Sequence, residues 1–448
     1  AALVIDNATA AVVAYRRFAD FAQDQTDAVQ ALRQPGSTLK PFLYGLALDQ
    51  ALIEPRHILA DVPTHYALPD ARVYSPVDFS ERFRGPVRVR LALANSLNIP
   101  AVRLLEQVGV PEFQTYLQQL GFLNLDQAPE FYGLGLALGG GEVSLWQLAQ
   151  AFRLIPTAGQ WLPLQTDINA VNVAPETASV APLAIGTPST WHLLADMLSD
   201  PQARAEAFGA ESWLNLPFPA VVKTGTSSDF RDNWVVGSSA HYTVAVWVGN
   251  FDGRPMRNAA GEGLAAATNA APLWHRIMMY LEPDWDLPPW PTPAGYDWLP
   301  ICAWSGQRPQ PDCPVVASEW VRDRDLYNQE NDPTFHRVNG QLDVTLPPEY
   351  TAWLSRHDVS QLRITSPQPA ATYLYRPSTQ LVFRSNQASP VTWYLNDEPL
   401  GTTRSLAWPL TPGVWTLVAR TEGQHDQLTF EVVAELPARE SGFTLRRP

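Results

Sequence analysis

The chain has 448 residues, 46% hydrophobic and 17% charged, which excludes a disordered protein and allows two or three domains with sizeable cores. Its formal net charge of −14 argues against nucleic acid or an anionic membrane surface as partner. No run approaches the ~20 apolar residues of a membrane span, and two cysteines without paired histidines do not make a zinc site.

The first residues, Ala1-Ala2-Leu3-Val4-Ile5-Asp6, read as a strand entered mid-fold, without Met or leader, so a fragment of a longer protein is expected. Residues 3–15 predict a β-hairpin around Asp6-Asn7-Ala8-Thr9. Gln34-Pro35-Gly36 breaks the chain just before Ser37, and apolar residues at helical spacing predict a helix over 37–52. Pro41 is tolerable only near a helix start, which places Ser37 at or near the N-terminus. Residues 54–86 read as loop. Residues 87–108 read as helical, carrying Ser96 and Asn98 near a break marked by Pro100. Gly139-Gly140-Gly141 reads as a turn, without the spacing of a phosphate-binding loop. Helices follow over 145–155 and 188–207.

Residues 221–226, 233–237 and 241–249 predict three antiparallel strands, and 271–281 a closing helix. Strands at both ends with helices between predict an α+β domain over 1–285, one antiparallel sheet flanked by helices. Residues 286–358 read as a proline-rich linker with a cluster of charges at 319–325 and a short helix near 347–356. It holds Cys302 and Cys313, expected either as one disulfide in an oxidising compartment or as two buried thiols. From 359 to 448 short strands at 362–364, 380–384, 391–395, 414–420 and 428–433 predict a small immunoglobulin-like sandwich.

Three motifs carry chemistry, in this order: Ser37-Thr38-Leu39-Lys40, Ser96-Leu97-Asn98 and Lys223-Thr224-Gly225-Thr226. A serine hydroxyl is a weak nucleophile until a neighbour takes its proton. Lys40, one helical turn after Ser37, shares its face and can be that base if its pKa is lowered, with Lys223 as the neighbouring cation. Ser96 can relay a proton to the leaving amine, and Asn98 can hold a peptide backbone. On the third motif, Gly225 lets a ligand backbone approach. Lys223, Thr224 and Thr226 can bind a carboxylate, and the backbone N–H groups of Ser37 and Thr226 can pair as an oxyanion hole. Nothing in the set asks for a metal or a cofactor. Each motif alone is weak; the ordered set is not.

The flanking residues sharpen this. Gln34-Pro35-Gly36-Ser37-Thr38-Leu39-Lys40-Pro41-Phe42, Leu138-Gly139-Gly140-Gly141-Glu142-Val143, Lys223-Thr224-Gly225-Thr226-Ser227 and Trp247-Val248-Gly249-Asn250 resemble the class A high-molecular-mass penicillin-binding proteins. Phe230-Arg231-Asp232-Asn233-Trp234 and the β-rich tail resemble their 1C branch. The resemblance implies the fold shared with serine β-lactamases and a D,D-transpeptidase acting through a Ser37 acyl-enzyme. It implies peptidoglycan stem peptides ending in D-Ala–D-Ala as substrate and β-lactams as substrate mimics. It further implies a parent protein with an N-terminal membrane anchor and glycosyltransferase, a place on the periplasmic face of the bacterial inner membrane, and a possible cell-envelope protein partner for the tail. The rivals are a serine β-lactamase and a cell-wall scaffold with a disused site. The letters of a β-lactamase deacylating loop do occur, as Glu211-Ser212-Trp213-Leu214-Asn215. They precede Lys223 by only twelve residues (223 − 211) and read as a chance match.

Overall fold

A computed structural model describes residues 1–17, 26–67, 73–76, 83–166, 181–258, 260–338, 341–354, 362–367, 372–375, 380–385, 387 and 389–434. The chain divides into two compact units, Ala1–Leu299 with Glu319–Tyr327, and Pro300–Ser318 with Asn328–Pro448. The segment 286–358 contributes to both.

In the first unit, β1 (Ala2–Asp6) and β2 (Val12–Arg16) form the expected hairpin. A 3₁₀ turn (Gly36–Leu39) leads into α1 (Lys40–Asp49), with Pro41 in its first turn, where its missing N–H leaves no helical bond unmade. Every residue of α1 from Lys40 to Leu48 is buried, as in a helix surrounded by protein. Part of the expected 54–86 loop pairs instead: β3 (Ile58–Asp61) runs antiparallel to β4 (Gly85–Arg88). Two helices follow, α2 (Val89–Ala94) and α3 (Asn98–Val108), then α4 (Leu145–Phe152) and α5 (Pro188–Ser199).

The break in the 87–108 helix lies at Ser96, not at Pro100. Ser96 N–H donates to Leu93 O and Leu97 N–H to Ala92 O, the two bonds that close a helix around a left-handed residue. Pro100 sits harmlessly in the first turn of α3. The helix expected over 188–207 likewise ends at Ser199. Asp200 precedes Pro201, which disfavours the helical conformation, and the Asp200 carboxylate accepts the N–H groups of Gln202 and Ala203.

The sheet of this unit has the order β2-β1-β7-β6-β5, with β5 (Val221–Thr226), β6 (Asp232–Ser238) and β7 (Tyr242–Gly249) as predicted and every pairing antiparallel. Side chains alternate between its two faces. Val221, Trp234 and Val236 pack with Leu39, Phe42 and Leu43 of the central helices. Val222, Val235 and Val244 pack on the other side against Trp274 and Met278 of α6 (Ala271–Leu281). The observed architecture is the α+β layout read from the sequence. Among the described residues no helix is long and apolar enough to cross a membrane.

The second unit joins Cys302 to Cys313 in a disulfide with a Cα–Cα distance of 5.9 Å. Its all-β part has a three-stranded sheet (Ile364–Ser366, Gln380–Ser385, Ser405–Pro409) and a five-stranded sheet built on Gly413–Thr421 and Gln424–Val433. Phe383 of the first packs against Trp393 and Phe430 of the second, so an aromatic core fills the space between them. Strands Glu398–Thr403 and Ser405–Pro409 were not among those read from the sequence, because Pro399, Gly401 and Pro409 weaken the strand signal.

Candidate active site

Ser37 is half-buried at the top of α1, in a turn that only close backbone packing permits. Gly36 takes φ +55°, and a Cβ there would lie 2.5 Å from Thr226 O. A Cβ on Gly225 would lie 2.2 Å from Pro35 O and 2.7 Å from Thr38 Cγ2. All three distances are below any tolerable contact. The expected role of Gly225, making room for a ligand backbone, is therefore revised: its bare face is occupied by the turn that presents Ser37. The turn is tied further by Thr38 Oγ1 donating to Pro35 O (2.9 Å) and by Trp234 Nε1 donating to Gln34 O (2.8 Å).

Lys40 is fully buried, and its Nζ donates to Ser96 O (2.6 Å), Leu97 O (2.9 Å) and Asn98 Oδ1 (2.7 Å). Those three acceptors match the three hydrogens of an ammonium. Asn98, expected to hold substrate backbone, thus directs its carbonyl oxygen to the lysine. Lys223, buried on β5, donates from Nζ to Ser96 Oγ (2.7 Å) and to Thr224 O (2.9 Å). Ser96 is the bridge, with its carbonyl on one lysine and its hydroxyl on the other. It is held there at φ +61°, a conformation costly for a residue with a Cβ, and such strain collects at functional sites.

Burial first, and the charge of Lys40 second, hold the Lys223 pKa well below its ordinary 10.5. The reading from sequence puts a depression on Lys40 with Lys223 as the neighbouring cation; in the structure the Lys223 pKa is also lowered, with burial the larger cause and Lys40 the smaller. The consequence is testable by its sign. With a folded pKa below the unfolded one, the unfolded chain binds the extra proton, so this group makes stability rise with pH up to about its ordinary value of 10.5. Lys223→Met removes that contribution. Its stability, followed by denaturant unfolding across alkaline pH, is expected to rise less steeply than that of the wild type.

Of the remaining motif residues, Thr224 is buried, and Thr226 Oγ1 accepts the Ala266 N–H (3.2 Å). The proximity of Gly36 to the Thr226 backbone brings the Ser37 turn alongside the end of β5. β5 is the outer strand of its sheet, so one row of its backbone groups has no strand partner there.

Two supporting groups lie in the Phe230–Trp234 stretch that carries the resemblance, where the sequence assigns them no role at the site. Asp232 accepts from Ser227 Oγ (2.8 Å) and from Trp247 Nε1 (3.0 Å), closing the β5–β6 hairpin, and Trp234 anchors the nucleophile turn as above. By contrast, Glu211-Ser212-Trp213-Leu214-Asn215 is a loop before β5. Leu214 of the same loop packs on the far face of the sheet with Val222 and Trp274, away from the face that carries Leu39 and Phe42.

Comparisons with known proteins give the family. Residues 1–271 match the family described as penicillin binding protein transpeptidase domain, and residues 354–430 the penicillin-binding protein C-terminus family. The chain is 31% identical over 305 residues to penicillin-binding protein 1C of Escherichia coli (strain K12), covering 66% of this chain and 36% of that protein. It is 32% identical over 275 residues to penicillin-binding protein 1A of Aquifex aeolicus (strain VF5), covering 58% of this chain and 36% of that one. The chain therefore spans about a third of the length of these relatives. In fold it is similar to the crystal structure of penicillin-binding protein 1A from Haemophilus influenzae (TM-score 0.58, 20% identity, 71% of this chain and 52% of that). It is similar also to penicillin-binding protein PonA1 from Mycobacterium tuberculosis (TM-score 0.54, 20% identity, 65% and 78%). The match over 1–271 takes in Ser37, Lys40, Ser96, Asn98 and the whole of β5 at once, and on that breadth the chain belongs to the penicillin-binding protein transpeptidase family.

Proposed function

We propose that this chain is a serine D,D-transpeptidase that cross-links peptidoglycan stem peptides and is acylated by β-lactams. The observation that carries the reading is the pair of lysines on one serine: Lys40 Nζ on Ser96 O at 2.6 Å and Lys223 Nζ on Ser96 Oγ at 2.7 Å, one helical turn from Ser37. Ser37 Oγ bonds to the carbonyl carbon of the penultimate D-Ala while its proton passes to Lys40, after that lysine has released a proton to the shared network. Ser37 N–H and Thr226 N–H hold the oxyanion. The C–N bond to the terminal D-Ala then breaks, and its nitrogen takes a proton through Ser96 Oγ from the lysine pair. An amine of a second stem repeats the steps in reverse, forming the new amide and freeing Ser37. The unpaired edge of β5 suits the donor stem as an added strand, with Lys223, Thr224 and Thr226 toward its carboxylate and Asn98 toward its backbone.

A β-lactamase needs a base that deacylates the serine ester; the stretch with the right letters, Glu211–Asn215, precedes Lys223 by only twelve residues (223 − 211), too close to the sheet for that loop. In the wider protein we place the 1–285 domain on the periplasmic face of the inner membrane, with an anchor and glycosyltransferase supplied by the parent chain. The 359–448 domain would serve as a binding module for a cell-envelope partner. Incubation with a labelled penicillin tests the core of this. A stable adduct on Ser37, located by mass spectrometry and lost in Ser37→Ala, is expected. Rapid drug turnover would mean a β-lactamase, and a folded protein that acylates neither with penicillin nor with a stem peptide would be a scaffold.

A further inference from the structure

The helix that delivers Ser96 is held by a residue far outside its own domain match. Arg90, in the first turn of α2, is buried. Its guanidinium donates from Nε to Glu319 Oε2 (3.0 Å) and from NH2 to Glu319 Oε1 (2.7 Å), a two-pronged pair with a carboxylate that is fully buried. NH2 also reaches Asp196 Oδ2 (2.5 Å) and NH1 Asp200 Oδ2 (3.5 Å), both at the end of α5. Arg88, at the N-cap of α2, approaches Glu319 Oε2 at 3.4 Å. Trp320 Nε1 donates to the same Asp196 Oδ2 (2.9 Å), and the Trp298 ring lies 5.1 Å from the Arg90 guanidinium. Burial works against the Arg90 charge, but Glu319 and Asp196 outweigh it and hold its pKa above the ordinary arginine value.

Glu319 lies in neither family match, which end at 271 and begin again at 354, yet Glu319–Tyr327 belongs to the same compact unit as Ser37. The other end of α2 is pinned as well. Asn95 Nδ2 donates to Ala203 O (2.7 Å), and its Oδ1 accepts the Ala207 N–H (2.9 Å). These bonds hold α2 at both ends, and the strained Ser96 that follows it contacts both lysines.

We propose that Glu319 is a positioning residue for acylation: by gripping Arg90 it fixes α2, and through α2 it keeps Ser96 between Lys40 and Lys223. This rests on the transpeptidase reading above for its activity readouts, but not for its structural one. Removing Glu319 takes away the fully buried partner of Arg90 and leaves only Asp196 and Asp200, both on α5 or its cap, so the grip is expected to loosen locally.

The test uses the full chain with Glu319→Ala and Glu319→Gln, the latter keeping the shape without the charge. The second-order rate of acylation by a labelled penicillin is expected to fall about tenfold in Glu319→Ala on protein corrected for its folded fraction, and less in Glu319→Gln. The acidic limb of the pH–rate profile is expected to move upward in both, because a displaced Ser96 lets water reach Lys223. Hydrogen exchange in a peptide covering residues 89–98 is expected to quicken. A role in stability alone would lower the melting temperature and leave the corrected rate and the pH limb where they are, and that result overturns the proposal. Should Glu319→Ala not fold, Glu319→Gln decides by the same readouts. Should the wild type take no label, the transpeptidase reading fails, and exchange over 89–98 still decides the positioning role: no change there refutes it.

Discussion

Lys40→Ala is expected to lower the rate of penicillin acylation by about a thousandfold, within the range that a positioned acid–base group contributes. The side chain is fully buried and its ammonium meets three acceptors, so on the proposed mechanism its loss removes the group that takes the Ser37 proton, together with a charge that, after burial, lowers the Lys223 pKa. Two effects then act together. Ser37 has no base on its own helical turn, and Lys223 loses the smaller of the two causes that lower its pKa while the larger, burial, remains. Some loss of stability is also expected, because Ser96 O, Leu97 O and Asn98 Oδ1 all lose this partner inside the protein, at ~1–3 kcal/mol for each left unsatisfied. Lys40→Met, which keeps the length and lacks the charge, separates the two contributions. A labelled-penicillin time course on protein corrected for its folded fraction is the measurement. Near-normal acylation of either variant would rule out Lys40 as the base.

Gly225→Ala is the second large effect, and it is one of backbone packing. The new methyl would stand 2.2 Å from Pro35 O and 2.7 Å from Thr38 Cγ2, so the turn carrying Ser37, or β5 itself, has to move. Overpacking of this kind costs typically ~1–3 kcal/mol. A displacement of about 1 Å at the nucleophile is enough to reduce the rate on the order of 100-fold. Gly135→Ala is the control: nothing lies within 4 Å of its Cβ position, and neither stability nor acylation is expected to change. Thermal melting and acylation rate, measured on both variants, check the pair. An acylation rate unchanged in Gly225→Ala would mean that the methyl disturbs neither the Ser37 turn nor a ligand, and would overturn this packing role along with the ligand-approach role read from the sequence.

Much of this protein was legible in the order of its residues because the signals were local. Ser37 and Lys40 lie one turn apart, and Pro41 announces a helix start whatever surrounds it. Residues 221–249 declare three strands by alternation and β-branched content. Those signals survive folding because each depends on the geometry of a few consecutive residues. The same locality explains the failures. Ser96 was placed near a break, but the break was credited to Pro100, since a left-handed serine closing a helix leaves no mark on composition. Strands containing Pro399, Gly401 and Pro409 were passed over, because their pairing partners rather than their own propensities make them strands.

The chain by itself determined the chemical vocabulary: a serine nucleophile, two lysines, a second serine and a glycine-bearing strand, in the order that belongs to one family. Only the tertiary structure decided how those parts share the work. Which lysine has its pKa depressed depends on what surrounds each one in three dimensions. That Gly225 makes room for the nucleophile turn depends on Pro35 lying against it. That Glu319, in a charge cluster of an expected linker with no role assigned, grips the helix behind Ser96 depends on a chain return of 229 residues. Proton affinity, close packing and long-range ion pairing are properties of a surrounding, and a linear sequence lists residues without stating what each will be surrounded by.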